Sequence, residues 1–302
     1  MPCTKTMFIL APFAIASIAL HAGRYPERLK RLLIRPGAIG DFVVSLPAME
    51  CLRCDYLEVW AAAPNVPLAR FAHRARSIAA TGLDLLELAE PDPRLLAALR
   101  GFDSIVSWYG AQRCEFRDRV AALGLPFRFF PALPQPGSGA HAADFYLDQV
   151  RSIADCRSDG IPRISCPSTH RGGAVIHPLS GSRKKCWPLE RFQELGRRLA
   201  GPIPVAWCAG PEDDLPSAVR FADLYELACW LRSARIYIGN DSGPTHLAAA
   251  VGTPVVALFG PSDPAVWAPR GPRVALAAAP SLEGIAVDQV ESLVYYILGG
   301  KT

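Results

Sequence analysis

The feature that most constrains this chain is a strand–helix alternation that runs twice, with a Pro/Gly-rich interruption between the runs. In the first run, Lys30 to Arg35 (KRLLIR) reads as a strand and residues 42–52 as a helix in which Pro47 marks a kink or restart. A strand over 56–62, a helix over 95–100 and a strand over 103–108 follow. The stretch PALPQPGSG (131–139) ends the rhythm, a helix is expected over 141–154, and the polar segment 158–173 reads as a linker. In the second run, strands are expected at 174–177, 205–208, 236–238 and 255–259, with helices at 189–199, 224–233 and 244–250. Such alternation means parallel sheets wrapped by helices, here as two α/β units in series with no residue-level repeat. The length of 302 residues suits two domains. We place them at residues 30–165 and 166–302, with a last helix near 286–298 expected to pack back on the first domain. Ligands of such lobes bind outside the carboxyl ends of the strands, in the cleft between them.

Residues 1–29 stand apart. MFILAPFAIASIAL (7–20) is apolar but shorter than the ~20 residues of a spanning helix. The region around Ala22 is a poor cleavage site, and Arg24, Arg28, Lys30 and Arg31 would hold the body on the cytoplasmic side if the run did insert. An N-terminal extension or interfacial helix, a misassigned start, an anchor and a cleaved signal are the readings, in that order. A net charge of +4 is too light for a dedicated nucleic-acid binder, yet suits small anions. Nine cysteines are scattered; Cys51 and Cys54 form the only close pair and lack partner ligands at zinc-site spacing. They read as separate thiols in a reducing compartment, with the cytosol as the default.

Four polar clusters follow predicted strands. Gly37-Ala-Ile-Gly40-Asp41 lets a backbone pass close to a ligand, and Asp41 is either a helix-start acid or a functional carboxylate. It is no Walker loop, because no Lys-Ser/Thr follows the glycines. His177 to Pro188 combines Ser180, Gly181 and Ser182 with Arg183, Lys184 and Lys185, which is either a solvated basic loop or a cradle for a diphosphate. Ala209 to Asp214 places Glu212 where a carboxylate can accept ribose hydroxyls, or simply makes an acidic turn. Gly239 to Pro254 opens a helix at Asp241, Ser242, Gly243 and Pro244, with Thr245 and His246 in its first turn. Free N–H groups there favour an anion.

The segments RPGAIGD (35–41), HPLSGSRKKCWPLERF (177–192), AGPEDD (209–214) and GNDSGPTHLAAAVGTPVVALFGPSDPAVW (239–267) together resemble glycosyltransferase family 9, the heptosyltransferase family of lipopolysaccharide assembly. The resemblance extends from about Lys30 to the C-terminus. It implies a GT-B-like fold, two Rossmann-like α/β domains facing across a cleft, with the acceptor on the first and a nucleotide-sugar donor, possibly ADP-heptose, on the second. Carried over by position, the catalytic base falls on Asp41, the phosphate-binding lysine on Lys185, the ribose-binding acid on Glu212, and the phosphate site on Asp241, Ser242, Gly243 and His246. Transfer with inversion, no cofactor and no required metal are further implications; the last agrees with the lack of an Asp-x-Asp pair. Leu179 stands where many members carry glycine, and the stretch between Asp214 and Tyr225 is short for the family.

An acceptor surface is expected around Gly40 and at the strand end bearing Trp108, Tyr109, Gln112, Arg113 and Arg117, which offers stacking and charge for a saccharide or lipid-linked glycan. An ordinary loop around one buried aromatic is the plainer reading. The expected enzyme is a metal-independent transferase of cell-surface glycan synthesis, cytoplasmic or at the inner face of the cytoplasmic membrane, with no nucleic-acid partner. A catalytically silent nucleotide-sugar-binding protein of the same fold is the alternative. An epimerase would need a carboxylate pair in the second lobe beyond Glu212.

Overall fold

A computed structural model describes residues 28–299 apart from 136, 138 and 168–171, so the apolar run at 7–20 lies outside the described residues. The first lobe contains β1 (Lys30–Arg35), α1 (Ile39–Cys51), β2 (Tyr56–Ala61), β3 (Arg74–Ser77), α2 (Pro93–Arg100), β4 (Ser104–Ser107), α3 (Cys114–Ala122), β5 (Phe127–Phe129) and α4 (Ala142–Val150). The second contains β6 (Ala174–His177), α5 (Leu189–Leu199), β7 (Val205–Trp207), α6 (Leu224–Arg232), β8 (Ile236–Asn240), α7 (Gly243–Ala250), β9 (Val255–Phe259), α8 (Pro264–Trp267), β10 (Val274–Ala278) and α9 (Val287–Ile297).

Both sheets are parallel, in the orders β3-β2-β1-β4-β5 and β10-β9-β8-β6-β7. Central strands β8 and β9 are buried along their whole length, as strands covered on both faces must be, and their sequences are accordingly near-continuous apolar runs. Each order reverses direction once, between β1 and β4 in the first sheet and between β6 and β8 in the second. Loops diverge at such points and leave a crevice. Every polar cluster singled out in the sequence except the Glu212 turn leaves a strand beside one of these crevices.

The lobes meet through helices rather than through a thin linker. α1 is buried from Phe42 to Met49, because it lies between its own sheet, α4 and α7 of the second lobe. It runs through Pro47 without a break, although that ring removes one backbone donor. Gly243 at the start of α7 touches α1: a Cβ there would lie 2.6 Å from the Ile39 Cβ. A second junction joins α4 to the segment after α8, where Arg270 donates two hydrogen bonds to Asp144, at 2.7 and 2.5 Å, and the His141 ring meets the Ala268 carbonyl at 2.8 Å.

Two expectations are corrected. The last helix, α9, packs on α5 and β10 of its own lobe rather than returning to the first; Val290 and Val294 are fully buried there, and Arg198 reaches Asp288 and Glu291 at 2.5 and 3.0 Å. The cysteines are not all separate thiols: Cys51, at the end of α1, is disulfide-bonded to Cys156 beyond α4, 105 residues away. Cys54 stays free and meets the Tyr56 carbonyl at 3.2 Å.

Candidate active site

The cleft between the lobes holds a cavity of about 450 Å³. Ala38, Gly40 and Asp41 line it from the first lobe; Ser180, Gly181, Ser182, Lys185, Asp241, Ser242, Gly243 and His246 line it from the second. Residues from three of the four sequence clusters thus meet in one space, although up to 208 positions separate them.

On the second lobe these groups are wired to one another. Lys185 Nζ donates to Asp241 Oδ2 at 2.7 Å, and the His246 Nε2 lies 3.9 Å from Asp241 Oδ1. Burial pushes the Asp241 carboxyl up, but hydrogen bonding from His246, Lys185 and Ser262 outweighs it and holds the group below the usual carboxylate range. Asp241 is therefore a fixed anion that aims a lysine and a histidine into the cavity. Ser180 Oγ donates to the Asp241 carbonyl at 3.1 Å. The buried Asn240 ties the loop above: its side chain accepts from Trp187 N at 2.9 Å and donates to the Pro178 carbonyl at 2.8 Å. Ser242 is the N-cap residue of α7, its side chain makes no cap hydrogen bond, and Pro244 fills a first-turn position without a donor.

On the first lobe, Asp41 sits in the first turn of α1 behind the N-cap residue Ala38, so it is not the cap. Its own carbonyl accepts from Arg35 at 3.1 Å. Arg35, 2 % exposed and unpaired by any carboxylate among the described residues, also donates to Ser45 Oγ at 3.2 Å and to Tyr146 at 2.8 Å. Tyr146, whose phenol burial pushes up to about 12, donates a hydrogen bond to the Ala132 carbonyl at 2.7 Å. This chain of bonds fixes the Asp41 turn and the neighbouring Leu133, which also lines the cavity.

Other expected site residues fall elsewhere. Lys184 and Glu212 are exposed and outside the cavity lining. Thr245 is 1 % exposed; its hydroxyl bonds the Asn240 carbonyl and meets Ser242 Oγ at 3.1 Å, so it braces the helix start rather than facing a ligand. Trp108 is buried and donates to Gln149 at 2.7 Å, which makes it a core residue. With Gln112 and Arg113 it borders a second cavity of about 440 Å³, which shares Leu133 with the first. Arg113 is paired with Glu87 and packs over the Tyr109 ring, so its charge is already matched. Tyr109 packs edge-on against Phe116 and lines neither cavity, and Arg117 lies over Phe129 beside a different one. Leu133, which carries no sequence signal, and Trp267, which ends the fourth motif but is not singled out there, also line the main cavity. Among the described residues no three His, Cys, Asp or Glu side chains cluster to hold a metal, and no helix is long and apolar enough to cross a membrane.

Two parallel α/β lobes with a cationic, serine-rich helix start facing a lone carboxylate define a GT-B-like protein. Residues 140–291 match glycosyltransferase family 9 (heptosyltransferase), and the chain belongs to that family. It is 31% identical over 144 residues to lipopolysaccharide heptosyltransferase 3 of Escherichia coli (strain K12), a match covering 42% of each chain. It is 45% identical over 49 residues to lipopolysaccharide heptosyltransferase 1 of Campylobacter coli, covering 16% of this chain and 14% of that one. The chain thus spans about two fifths of the length of the first of these relatives. In fold it is similar to the E. coli ADP-heptose lipopolysaccharide heptosyltransferase II, with a TM-score of 0.69 at 18% identity over 89% of this chain and 98% of that one. E. coli heptosyltransferase WaaC with ADP gives 0.68 at 17% identity over 89% and 100%.

Proposed function

We propose that the chain transfers a heptose-like sugar from a nucleoside-diphosphate donor to a saccharide acceptor, with inversion and without a metal. The carrying observation is that Asp41 and the Lys185–Asp241–His246 group line one cavity from opposite lobes. The donor's diphosphate lies against the start of α7, Lys185 and the Ser180–Ser182 loop, so that charge developing on the leaving group meets fixed positive groups. Asp41 removes the acceptor hydroxyl proton as the new bond forms, on the face of the sugar opposite the leaving phosphate. A single displacement of this kind inverts the anomeric carbon. The acceptor enters beside Gly40 and Leu133, from the cavity that Gln112 and Arg113 border. ADP-heptose is favoured as the donor by the likeness to solved heptosyltransferases described with ADP and with ADP-2-deoxy-2-fluoro heptose.

A catalytically silent sugar-nucleotide binder is the second reading. Its support is the segment between β7 and α6, which contains no helix and adds only a bridge between Cys208 and Val219 at the sheet edge. A thermal-shift screen of ADP-, GDP-, UDP- and dTDP-sugars, followed by product analysis with the stabilising donor, tests both. Stabilisation with turnover and an inverted anomer is expected. Stabilisation without turnover of any saccharide acceptor selects the silent binder, and no stabilisation by any donor rejects both.

A further inference from the structure

The far end of α1 borders a second charged cavity that the transfer reaction does not use. It has a volume of about 450 Å³ and lies where the end of α1, the loop after residue 68, the interlobe segment 163–165 and α6 come together. α1 has 13 residues, so this cavity is about 20 Å from the Asp41 end.

Three guanidiniums line it, those of Arg53, Arg70 and Arg163, against one carboxylate, Glu50. Arg163 is matched by Asp159 at 2.8 and 2.6 Å. Arg53 and Arg70 have no carboxylate within ion-pair distance among the described residues; each instead lies over an aromatic ring, Arg53 at 6.0 Å from the Phe71 centroid and Arg70 at 4.1 Å from that of Tyr225. Arginines near a helix C-terminus commonly offset its negative end. Backbone donors already do much of that work here: Leu52 N and Arg53 N bond the Met49 and Glu50 carbonyls, and Ile164 N bonds the Ala250 carbonyl at the end of α7. A guanidinium laid on a ring keeps its N–H edge free and is weakly hydrated, which is the form in which arginine grips a phosphate through paired hydrogen bonds. Tyr225 donates to the Ser165 carbonyl at 3.1 Å, so the wall bearing Arg70 is tied to the interlobe segment.

We infer that this rear cavity is a second binding site, for a phospho-anion larger than inorganic phosphate, held by Arg53 and Arg70 at the junction of the lobes. The inference stands on its own whether or not the front cavity transfers a sugar. Two sources supply such chemistry: a nucleotide, and a free phospho-anion such as pyrophosphate.

Calorimetric titration of the full chain with pyrophosphate tests it, in a Lys185→Ala background that weakens the front site. Binding should persist in Lys185→Ala and weaken about tenfold or more when Arg53→Gln and Arg70→Gln are added. ADP binding with similar affinity in that background identifies a nucleotide as the ligand, and binding of pyrophosphate alone identifies a free phospho-anion. Loss of all pyrophosphate binding in Lys185→Ala alone, or an unchanged affinity in the triple variant, overturns the site. Should the triple variant fail to fold, hydrogen exchange on the wild-type chain decides. Pyrophosphate should protect residues 50–53, 68–71 and 163–165, and unchanged exchange in all three segments overturns the inference.

Discussion

The two walls of the front cavity are built on opposite plans. The second-lobe wall is a closed circuit: Lys185, Asp241, His246, Ser180, Asn240 and Thr245 each have a named partner in the protein. The first-lobe wall offers one carboxylate, Asp41, whose backbone is held by Arg35 while no hydrogen bond or ion pair among the described residues engages its side chain. A group that binds a fixed anion gains from being preorganised, whereas a group that must take and release a proton gains from a side chain left free. Under the proposed function, the contrast matches donor binding to the second-lobe wall and proton removal to the first.

The most direct way to break that division is Asp41→Asn. Turnover should fall by ~10²–10⁴-fold, the range of general-base loss, with donor affinity nearly unchanged. Near-normal turnover in steady-state assays would return Asp41 to the role of a helix-start acid.

Next in size is a pH effect specific to the second wall. His177, at the end of β6 beneath the Ser180–Lys185 loop, is buried and its Nδ1 has no hydrogen-bond partner among the described residues; burial lowers its pKa from 6.5 to about 4. The unfolded chain therefore takes up a proton near pH 6.5 that the folded chain refuses until about pH 4. Stability falls as pH drops through that window, by ~3 kcal/mol in all, and is unaffected by this group above it. Urea unfolding at pH 7 and pH 4.5 should show the loss, and His177→Gln should flatten it. Equal pH dependence in both proteins would mean that His177 does not carry it.

A smaller effect separates phosphate binding from base binding. Lys185→Ala should weaken a nucleoside diphosphate by ~1.5–3 kcal/mol while leaving the bare nucleoside nearly untouched, because one charge-assisted contact is removed. Equal weakening of both ligands, measured by calorimetry, would place the lysine in the fold rather than at the phosphates.

The smallest expected effect is none. Lys185 and the start of α7 supply positive charge directly, so transfer, or donor binding, should survive excess EDTA. Activity lost on chelation and restored by magnesium or manganese would sink the metal-free reading.

Much of this arrangement was legible in the sequence, for a local reason. Strand–turn–helix signals identify which loops leave the sheet at its carboxyl edge, and the reversals of strand order then gather three of those loops. Which side of a loop faces inward is not a local property. Lys184 and Lys185 are neighbours, yet only Lys185 turns to Asp241; Glu212 follows the edge strand β7, one strand beyond the reversal, and stays outside the cavity. Arg35 stood in a recognised motif, but its role depends on Tyr146, 111 positions away. Edge strands β3 and β10 escaped notice because one is charged (RARS) and the other half-exposed, so neither has the apolar run that marks a buried strand. The Cys51–Cys156 bond likewise depends on α1 and α4 lying side by side.

The contact between Gly243 and Ile39 bears on how such a protein can diversify. Because a side chain at 243 would collide with α1, the spacing between α1 and α7 is set by the bare backbone of Gly243 against the Ile39 side chain and the Gly40 backbone. On the proposed function, the surfaces that would choose a sugar or an acceptor lie elsewhere, on the loops that carry Leu133 and the Ser180–Lys185 stretch. Mutational drift in those loops can change what is recognised without displacing the two helices from each other. Variation in the loops is thereby uncoupled from the spacing of the two helices, and a saturation library should tolerate many residues in the loops while returning glycine at 243.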